Sequence, residues 1–253
     1  MHCALIIGRK GSIGLPGKNL LNVLGRPLAS YCMMAANESK YIDKVYISTD
    51  CEDIKEIAKS HNIEYIARPD HLKGGEALGE DAYRHGFEVI NKRLKSEGKT
   101  IETISLLMCN APTITADLLD EGIEKLLENP EADSAVSVSI YNMWSPLRAR
   151  KLDEDGFLMP FVPFDSFEGD PYELSCDRDS QGNVYYADMG VSVVRPHCLE
   201  NMNDGLLPQR WMGRKIIPIE NWGGLDLDYA WQIGMVEFWL REHGFKYAGM
   251  NTG

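Results

Sequence analysis

The apolar run Ala4–Ile7 leads directly into Gly8-Arg9-Lys10-Gly11-Ser12-Ile13-Gly14-Leu15-Pro16-Gly17-Lys18-Asn19, and no other stretch constrains the chain as strongly. Glycines let a backbone approach a ligand closely and turn its N–H groups inward, while Arg9, Lys10 and Lys18 add positive charge. That combination predicts a loop that wraps phosphates. Two commoner glycine loops are excluded by spacing. A Walker A loop needs Gly-x4-Gly-Lys-Ser/Thr, but counting back from Gly17-Lys18 puts Ser12 at the first glycine, and Asn19 stands at the magnesium-binding hydroxyl. The dinucleotide fingerprint needs Gly-x-Gly-x-x-Gly, whereas the spacing here is Gly11-x-x-Gly14-x-x-Gly17.

Composition narrows the ligand. The chain has 253 residues, enough for one large α/β domain with or without a small appendage. Its formal net charge of −12 argues against broad nucleic-acid binding, which rewards dense Lys and Arg. A basic pocket in an acidic protein suits a small anionic ligand. The six cysteines are scattered without a Cys-x-x-Cys pair, which predicts reduced thiols and a cytoplasmic protein. No apolar run approaches the ~18 residues of a membrane span, and no signal-peptide pattern opens the chain, so no membrane partner is expected. None of the six histidines has metal-site spacing.

Strand-like runs recur at Ala4–Ile7, Val45–Ser48, Ile104–Met108 and Ala135–Ile140. Helical patterns lie between the first three, at Pro27–Ser39, Ile54–His61 and Ala77–Leu94, and the alternation predicts a parallel sheet covered by helices. Ligands of such sheets bind beyond the carboxyl ends of the strands. The glycine loop, Ser48-Thr49-Asp50 and Cys109-Asn110-Ala111-Pro112 would converge there. From Tyr141 to Val184 prolines and aromatics interrupt the pattern, and Lys151–Gly156 reads as a hairpin turn. This divides the chain into a main domain, 1–140 with 185–253, and an inserted lobe, 141–184. The lobe's aromatics need cover, from the main domain or a second subunit.

Near the C-terminus, Gly224-Leu225-Asp226-Leu227-Asp228 precedes a helical pattern over Tyr229–His243. Alternation places Asp226 and Asp228 on one face of an extended segment, where two hard carboxylates suit Mg²⁺. The plainer alternative makes Asp228 the helix N-cap and leaves Asp226 on a solvated loop. Trp231 and Trp239, eight apart, are expected on one packed helical face. Basic loop and acidic pair together describe the two halves of a metal-dependent nucleotidyl-transfer site.

The run Ile6–Leu28, with Arg9, Gly11-Ser12, Gly14-Leu15-Pro16-Gly17-Lys18-Asn19-Leu20 and Gly25-Arg26-Pro27-Leu28, resembles the CMP-sialic acid synthetase (acylneuraminate cytidylyltransferase) family, which includes CMP-Kdo synthetases. Val45–Asp50 is similar to that family's second strand, Arg68-Pro69 to its base-side Arg-Pro, and Leu225–Asp228 to its metal-binding Asp-x-Asp. The resemblance implies a three-layer α/β/α nucleotidyltransferase (Rossmann-like) fold with a mostly parallel sheet and an inserted dimerisation lobe. It implies that a sugar-acid hydroxyl attacks the α-phosphorus of CTP and releases pyrophosphate, in a homodimer that supplies surface glycans.

Carried onto this chain, the resemblance gives phosphate contacts to Arg9 and Lys18. It surrounds the nucleotide with Gly8, Lys10, Gly11, Ser12, Asn19 and Arg68, and gives Mg²⁺ to Asp226 and Asp228. Asn110 and Arg178 fall on the acceptor side, Arg178 resembling an arginine able to pair with a sugar acid's carboxylate. Departures from the family pattern are local. Ile13 stands where the family has a lysine, and Cys109-Asn110-Ala111 replaces a stretch with a sugar-reading glutamine. Glu76–Gly79 and Met189–Val193 match their motifs loosely. Three of these four changes lie on the base or acceptor side. A different sugar or sugar phosphate, another nucleotide such as GTP, and a non-catalytic nucleotide binder remain alternatives.

Overall fold

The polypeptide, described by a computed structural model over residues 1–11, 14–73 and 77–248, builds its main sheet around the strand that feeds the glycine loop. In chain order the strands are β1 (His2–Gly8), β2 (Asn22–Val23), β3 (Arg26–Pro27), β4 (Lys44–Thr49), β5 (Glu64–Ala67), β6 (Thr103–Met108), β7 (Ser134–Ile140), β8 (Arg150–Leu152), β9 (Leu158–Pro160), β10 (Tyr185–Val194) and β11 (Ile216–Glu220). The α-helices are α1 (Ser30–Glu38), α2 (Glu52–Ser60), α3 (Gly79–Ser96), α4 (Ala116–Glu128), α5 (Pro196–Glu200) and α6 (Ile233–Glu242).

The seven-stranded sheet has the order β11-β7-β10-β6-β1-β4-β5. Strands β5, β4, β1 and β6 pair in parallel, and β11 is parallel to β7. Only β10 runs against its neighbours β6 and β7. Side chains along β1 alternate between two cores. Ala4 and Ile6 join Met33, Ile54 and Ile123 under α1, α2 and α4, whereas Leu5 and Ile7 join Tyr83, Phe87, Ile90 and Leu199 under α3 and α5. This is the three-layer, mostly parallel α/β/α architecture expected, and it follows from strands buried on both faces. A third apolar cluster packs α6 against Val23, Leu28 and Tyr31, with Leu227 inside it.

The elements around the crevice match the sequence reading to within two or three residues. Other elements go beyond it, among them the edge strands β5 and β11, the antiparallel β10, and helix α4. The C-terminal helix also differs in detail. A 3-10 turn spans Ala230–Gln232 before α6, so Trp231 stands 63% exposed outside the α-helix while Trp239 is fully buried within it. The two tryptophans therefore do not share a packed face.

Residues 141–184 lie between β7 and β10 and contain the small β8–β9 hairpin. Its turn is closed by the Asp153 carboxylate, which accepts from the N–H groups of Asp155 and Phe157 at 3.1 and 2.7 Å. Gly156 takes φ +85° there, a conformation that excludes most side chains. Phe157, Leu158 and Phe161 are all exposed.

Candidate active site

The register of the sheet puts the ends of β1, β4 and β6 level: Gly8 pairs with Thr49, and Ile7 with Met108. Beyond those ends lies a cleft of about 350 Å³ lined by Gly8, Arg9, Gly11, Lys18, Asn19, Arg68, Leu78, Met108 and Asn110. A second recess of about 310 Å³ shares Arg9, Gly11, Lys18 and Asn19 and adds Lys10, Gly17 and Asp53. The basic loop thus lines two adjoining hollows. Gly17, at φ +72°, turns the chain into the 3-10 helix Lys18–Leu20, which carries Lys18 and Asn19. The Asn19 amide donates to the Arg9 carbonyl at 3.3 Å. Its buried Oδ1 has no partner among the described residues, an acceptor available to a ligand.

Arg68 is nearly buried, and its guanidinium donates to Ser48 through Nε (Oγ, 3.1 Å) and Nη2 (carbonyl, 2.8 Å). Burial lowers its pKa below the ordinary arginine value. The group is fixed in place by the end of β4, a rigid mount for one wall of the cleft.

The acidic pair reaches this cleft from the C-terminal side. Residues 225–228 carry no regular secondary structure; the backbone N–H of Leu227 donates to the Asn110 carbonyl at 2.7 Å, and the Leu227 side chain is buried in the third apolar cluster. Asp226 accepts from Asn110 Nδ2 at 3.2 Å, and Asp228 forms an ion pair with Lys18 Nζ. Burial pushes the Asp226 carboxyl above its usual value, the neighbouring Asp228 charge acts the same way, and Lys18 opposes them. Asp228 is not the helix cap. Gln232 Oε1 accepts from the N–H groups of Asp228 and Tyr229, at 2.7 and 2.8 Å, and so leaves the Asp228 carboxylate for the cleft. A Cβ added to Gly14 would lie 2.9 Å from the Asp228 carbonyl, so the glycine loop passes directly against the acidic segment.

Most of the expected site residues come together. Gly8, Arg9, Gly11, Lys18, Asn19, Arg68 and Asn110 line one cleft, and Asp226 and Asp228 are tied to it through Asn110 and Lys18. Lys10 lines the neighbouring recess and is held by its backbone N–H, which donates to Asp50 at 2.7 Å. Ser12 lies outside the described residues, as does the Ile13 substitution. Arg178 stands in the inserted segment, 68% exposed, with Nε on Asp179 at 3.3 Å. It lines a 260 Å³ hollow with Tyr141 and Asn142, and the Tyr141 hydroxyl donates to the Gly224 carbonyl at 3.1 Å, just ahead of the acidic pair. Sequence reasoning missed Ser48 as the mount for Arg68 and Gln232 as the cap that frees Asp228. The second was readable, since a Gln at the third helical position is a capping signal.

The donor set fits a hard divalent cation. Two carboxylates, close enough for the Asp228 charge to disfavour ionisation of Asp226, present only oxygen ligands beside a basic loop.

Cations on a strand-end loop facing paired carboxylates across the same crevice is the arrangement by which nucleotidyltransferases handle a triphosphate. Within that class the chain belongs to the cytidylyltransferase family, whose sequence model matches residues 3–153. It is 29% identical over 129 residues to the pseudaminic acid cytidylyltransferase of Campylobacter jejuni, a match covering 51% of this chain and 54% of that protein. The CMP-N,N'-diacetyllegionaminic acid synthase of Legionella pneumophila is 28% identical over 190 residues, covering 73% of this chain and 76% of that protein. The chain therefore spans only about half the length of the first of these relatives. Among solved structures, CMP:2-keto-3-deoxy-manno-octonic acid synthetase complexed with CTP shares the fold, with a TM-score of 0.65 at 14% identity over 96% of this chain and 99% of that one. No helix of the described residues is long and apolar enough to cross a membrane.

Proposed function

We propose that this protein is a Mg²⁺-dependent cytidylyltransferase that joins CTP to a nonulosonic, sialic-acid-like sugar acid and releases pyrophosphate. The observation that supports the reading is the Lys18–Asp228 ion pair, which ties the acidic pair to the loop lining the cleft. Family membership and relatives named for pseudaminic and legionaminic acid support the nucleotide and the acceptor class.

In this reading Arg9 and Lys18 neutralise the triphosphate, the glycine-rich backbone lets it approach, and Asn19 Oδ1 accepts from the nucleotide. Arg68, held by Ser48, forms the base-side wall. Asp226 and Asp228 hold Mg²⁺, which when bound supplies charge stabilisation at the α-phosphate and the leaving pyrophosphate. Asn110 orients Asp226 at the boundary with the acceptor. The acceptor's hydroxyl oxygen bonds to the α-phosphorus as the bond to the bridging oxygen breaks; pyrophosphate leaves with the bridging oxygen, and the hydroxyl proton passes to a carboxylate of the acidic pair and on to solvent. Arg178 and the Tyr141–Asn142 hollow receive the sugar acid's carboxylate end, where a guanidinium gives a charge-assisted contact. The exposed apolar side chains of the inserted lobe support a homodimer, and the unpaired cysteines support a cytoplasmic location.

Pyrophosphate release tests the proposal with each of CTP, GTP, UTP and ATP, Mg²⁺, and a panel of nine-carbon and eight-carbon sugar acids. Release restricted to CTP with a sugar acid is the expected result. Release with GTP would move the base assignment, and none with any pair would favour a non-catalytic nucleotide binder.

A further inference from the structure

A costly local structure lies outside the cleft, behind the acidic pair. Asp188 is 4% exposed, and its partners are all neutral: Ser137 Oγ, the Gly190 N–H at 2.9 Å and the Asn221 amide at 2.8 Å, with Ser139 Oγ at 3.4 Å. Burying a carboxylate without a cation is costly, and the burial raises its proton affinity against those hydrogen bonds. The backbone that delivers it is unusual as well. Met189 adopts φ +64°, rare for a side chain of its size, and the β10–β7 register shifts between Ala187 and Ser192. Three unfavourable features meet at one point. Such concentrations persist where surrounding structure holds them for a purpose.

The neighbours of Asp188 point to that purpose. Its Oδ2 accepts from Asn221, whose amide also donates to the Thr113 carbonyl at 3.0 Å. Ser139 Oγ donates to the Asn221 carbonyl and accepts from the Gly224 N–H at 2.9 Å. A Cβ on Gly224 would collide with the Asp188 carboxylate and the Asn221 amide, so the chain passes directly over this network. One residue later, Thr113 Oγ1 accepts from the Leu225 N–H at 2.9 Å and donates to its carbonyl at 3.0 Å. Asp226 follows.

We propose that Asp188, acting through Asn221, whose carbonyl Ser139 ties to Gly224, is a positioning residue that fixes where the Asp226–Asp228 pair stands relative to the phosphate loop. This rests on the metal-site reading given above. The anionic anchor gathers the donors of Ser137, Gly190 and Asn221 into a single arrangement, and the segment bearing the acidic pair leaves it within two residues. An apolar core at the same place would bury the strands equally well but would leave residues 221–224 free to shift. Groups that orient metal ligands typically alter metal affinity by about 10–100-fold when lost.

The test measures Mn²⁺ affinity by electron paramagnetic resonance, CTP affinity in EDTA, and thermal stability, for the whole protein and for Asp188→Asn and Ser139→Ala. The expected result is Mn²⁺ binding weakened about tenfold or more in both variants. Metal-free CTP binding, which uses the loop, should stay within about twofold. Ser139→Ala removes one hydroxyl from an intact strand and keeps the fold if Asp188→Asn does not. A folded Ser139→Ala with wild-type Mn²⁺ affinity overturns the proposal, even if its melting temperature falls, because that is the signature of a purely structural network. Failure of the wild-type protein to bind Mn²⁺ at all would instead remove the metal-site reading on which the proposal stands.

Discussion

The cleft and the inserted segment are built by opposite means. Three of the cleft's groups are mounted on a strand end, a short helix or a hydrogen bond: Arg68 on Ser48, Lys18 on the turn that Gly17 opens, Asp226 on Asn110. Residues 141–184 have one small hairpin, several 3-10 turns and an apolar surface turned to solvent, with Tyr172 95% exposed and Phe157 and Leu158 each 69% exposed. Under the proposed function, phosphate and cation are invariant, so the groups that would bind them can be rigid within one chain. The acceptor sugar is the variable partner, and the Arg178 hollow proposed to receive it lies in the part of the molecule least fixed by its own core. The comparison predicts that lesions on the two sides differ in kind.

Asp228→Ala should produce the largest effect. Loss of a carboxylate that holds the cation removes several kcal/mol of transition-state stabilisation, roughly a 10³-fold fall in kcat. The half-exposed side chain contributes little to the core, so the melting temperature should stay near wild type. Retained turnover would remove the acidic pair from the chemistry. Lys18→Ala comes next, with kcat expected to fall about 10²-fold and CTP affinity to weaken, as for other preorganised groups that meet developing charge. Unchanged rate and affinity would make the glycine loop an ordinary turn.

On the other side of the comparison, Phe157→Asp combined with Leu158→Asp should leave CTP-induced stabilisation intact. The same variant should raise the acceptor KM by about tenfold, equivalent to ~1.4 kcal/mol of binding, and sedimentation should show a monomer. Wild-type oligomeric state and acceptor KM would show that this surface serves neither assembly nor substrate.

The smallest effect concerns stability. Asp226 has its folded pKa raised by burial and by Asp228, so the folded chain holds that proton more tightly than the unfolded chain. Its contribution therefore favours folding below the ordinary carboxylate value and is lost as pH rises through the raised one. Metal-free Asp226→Asn should melt at or above the wild-type temperature at neutral pH and show a flatter dependence on pH across that window. A clear drop in melting temperature would mean that the Asp226 charge stabilises the fold.

Features carried by contiguous residues were readable from the sequence. The loop 8–19, the Asp-x-Asp segment and the hairpin turn at Asp153–Gly156 are local chemistry, and β1, β4, β6 and β7 are apolar runs buried on both faces. The edge strands were hidden for physical reasons. In β5 only Ile66 is buried, too little alternation to mark a strand, and β11 contains Pro218, which argues against a strand except at an edge. Strand β10 carries a register shift between Ala187 and Ser192, the same irregularity that delivers Asp188. Helix α4 is different: Thr115 caps it, and Leu119, Ile123 and Leu126 recur at helical spacing, so periodicity was sufficient there. In the candidate site, the side chains proposed to bind a ligand were visible as motifs. Gln232 was readable as a local cap, whereas the contacts of Ser48 with Arg68 and of Asp188 with Asn221 join residues far apart in the chain.

The central claim is that the basic loop and the acidic pair form a single site for a cytidine triphosphate and a divalent cation. Thermal unfolding of the wild-type protein and of Asp228→Ala, with each of the four nucleoside triphosphates, with and without Mg²⁺, tests it directly. At a free concentration a hundredfold above Kd, a ligand adds about 2.7 kcal/mol, which should raise the melting temperature by several degrees. The predicted result is a rise with CTP that exceeds those with GTP, UTP and ATP, increases with Mg²⁺, and loses its Mg²⁺ dependence in Asp228→Ala. An equal response to all four nucleotides, or a Mg²⁺ effect that survives Asp228→Ala, would contradict it.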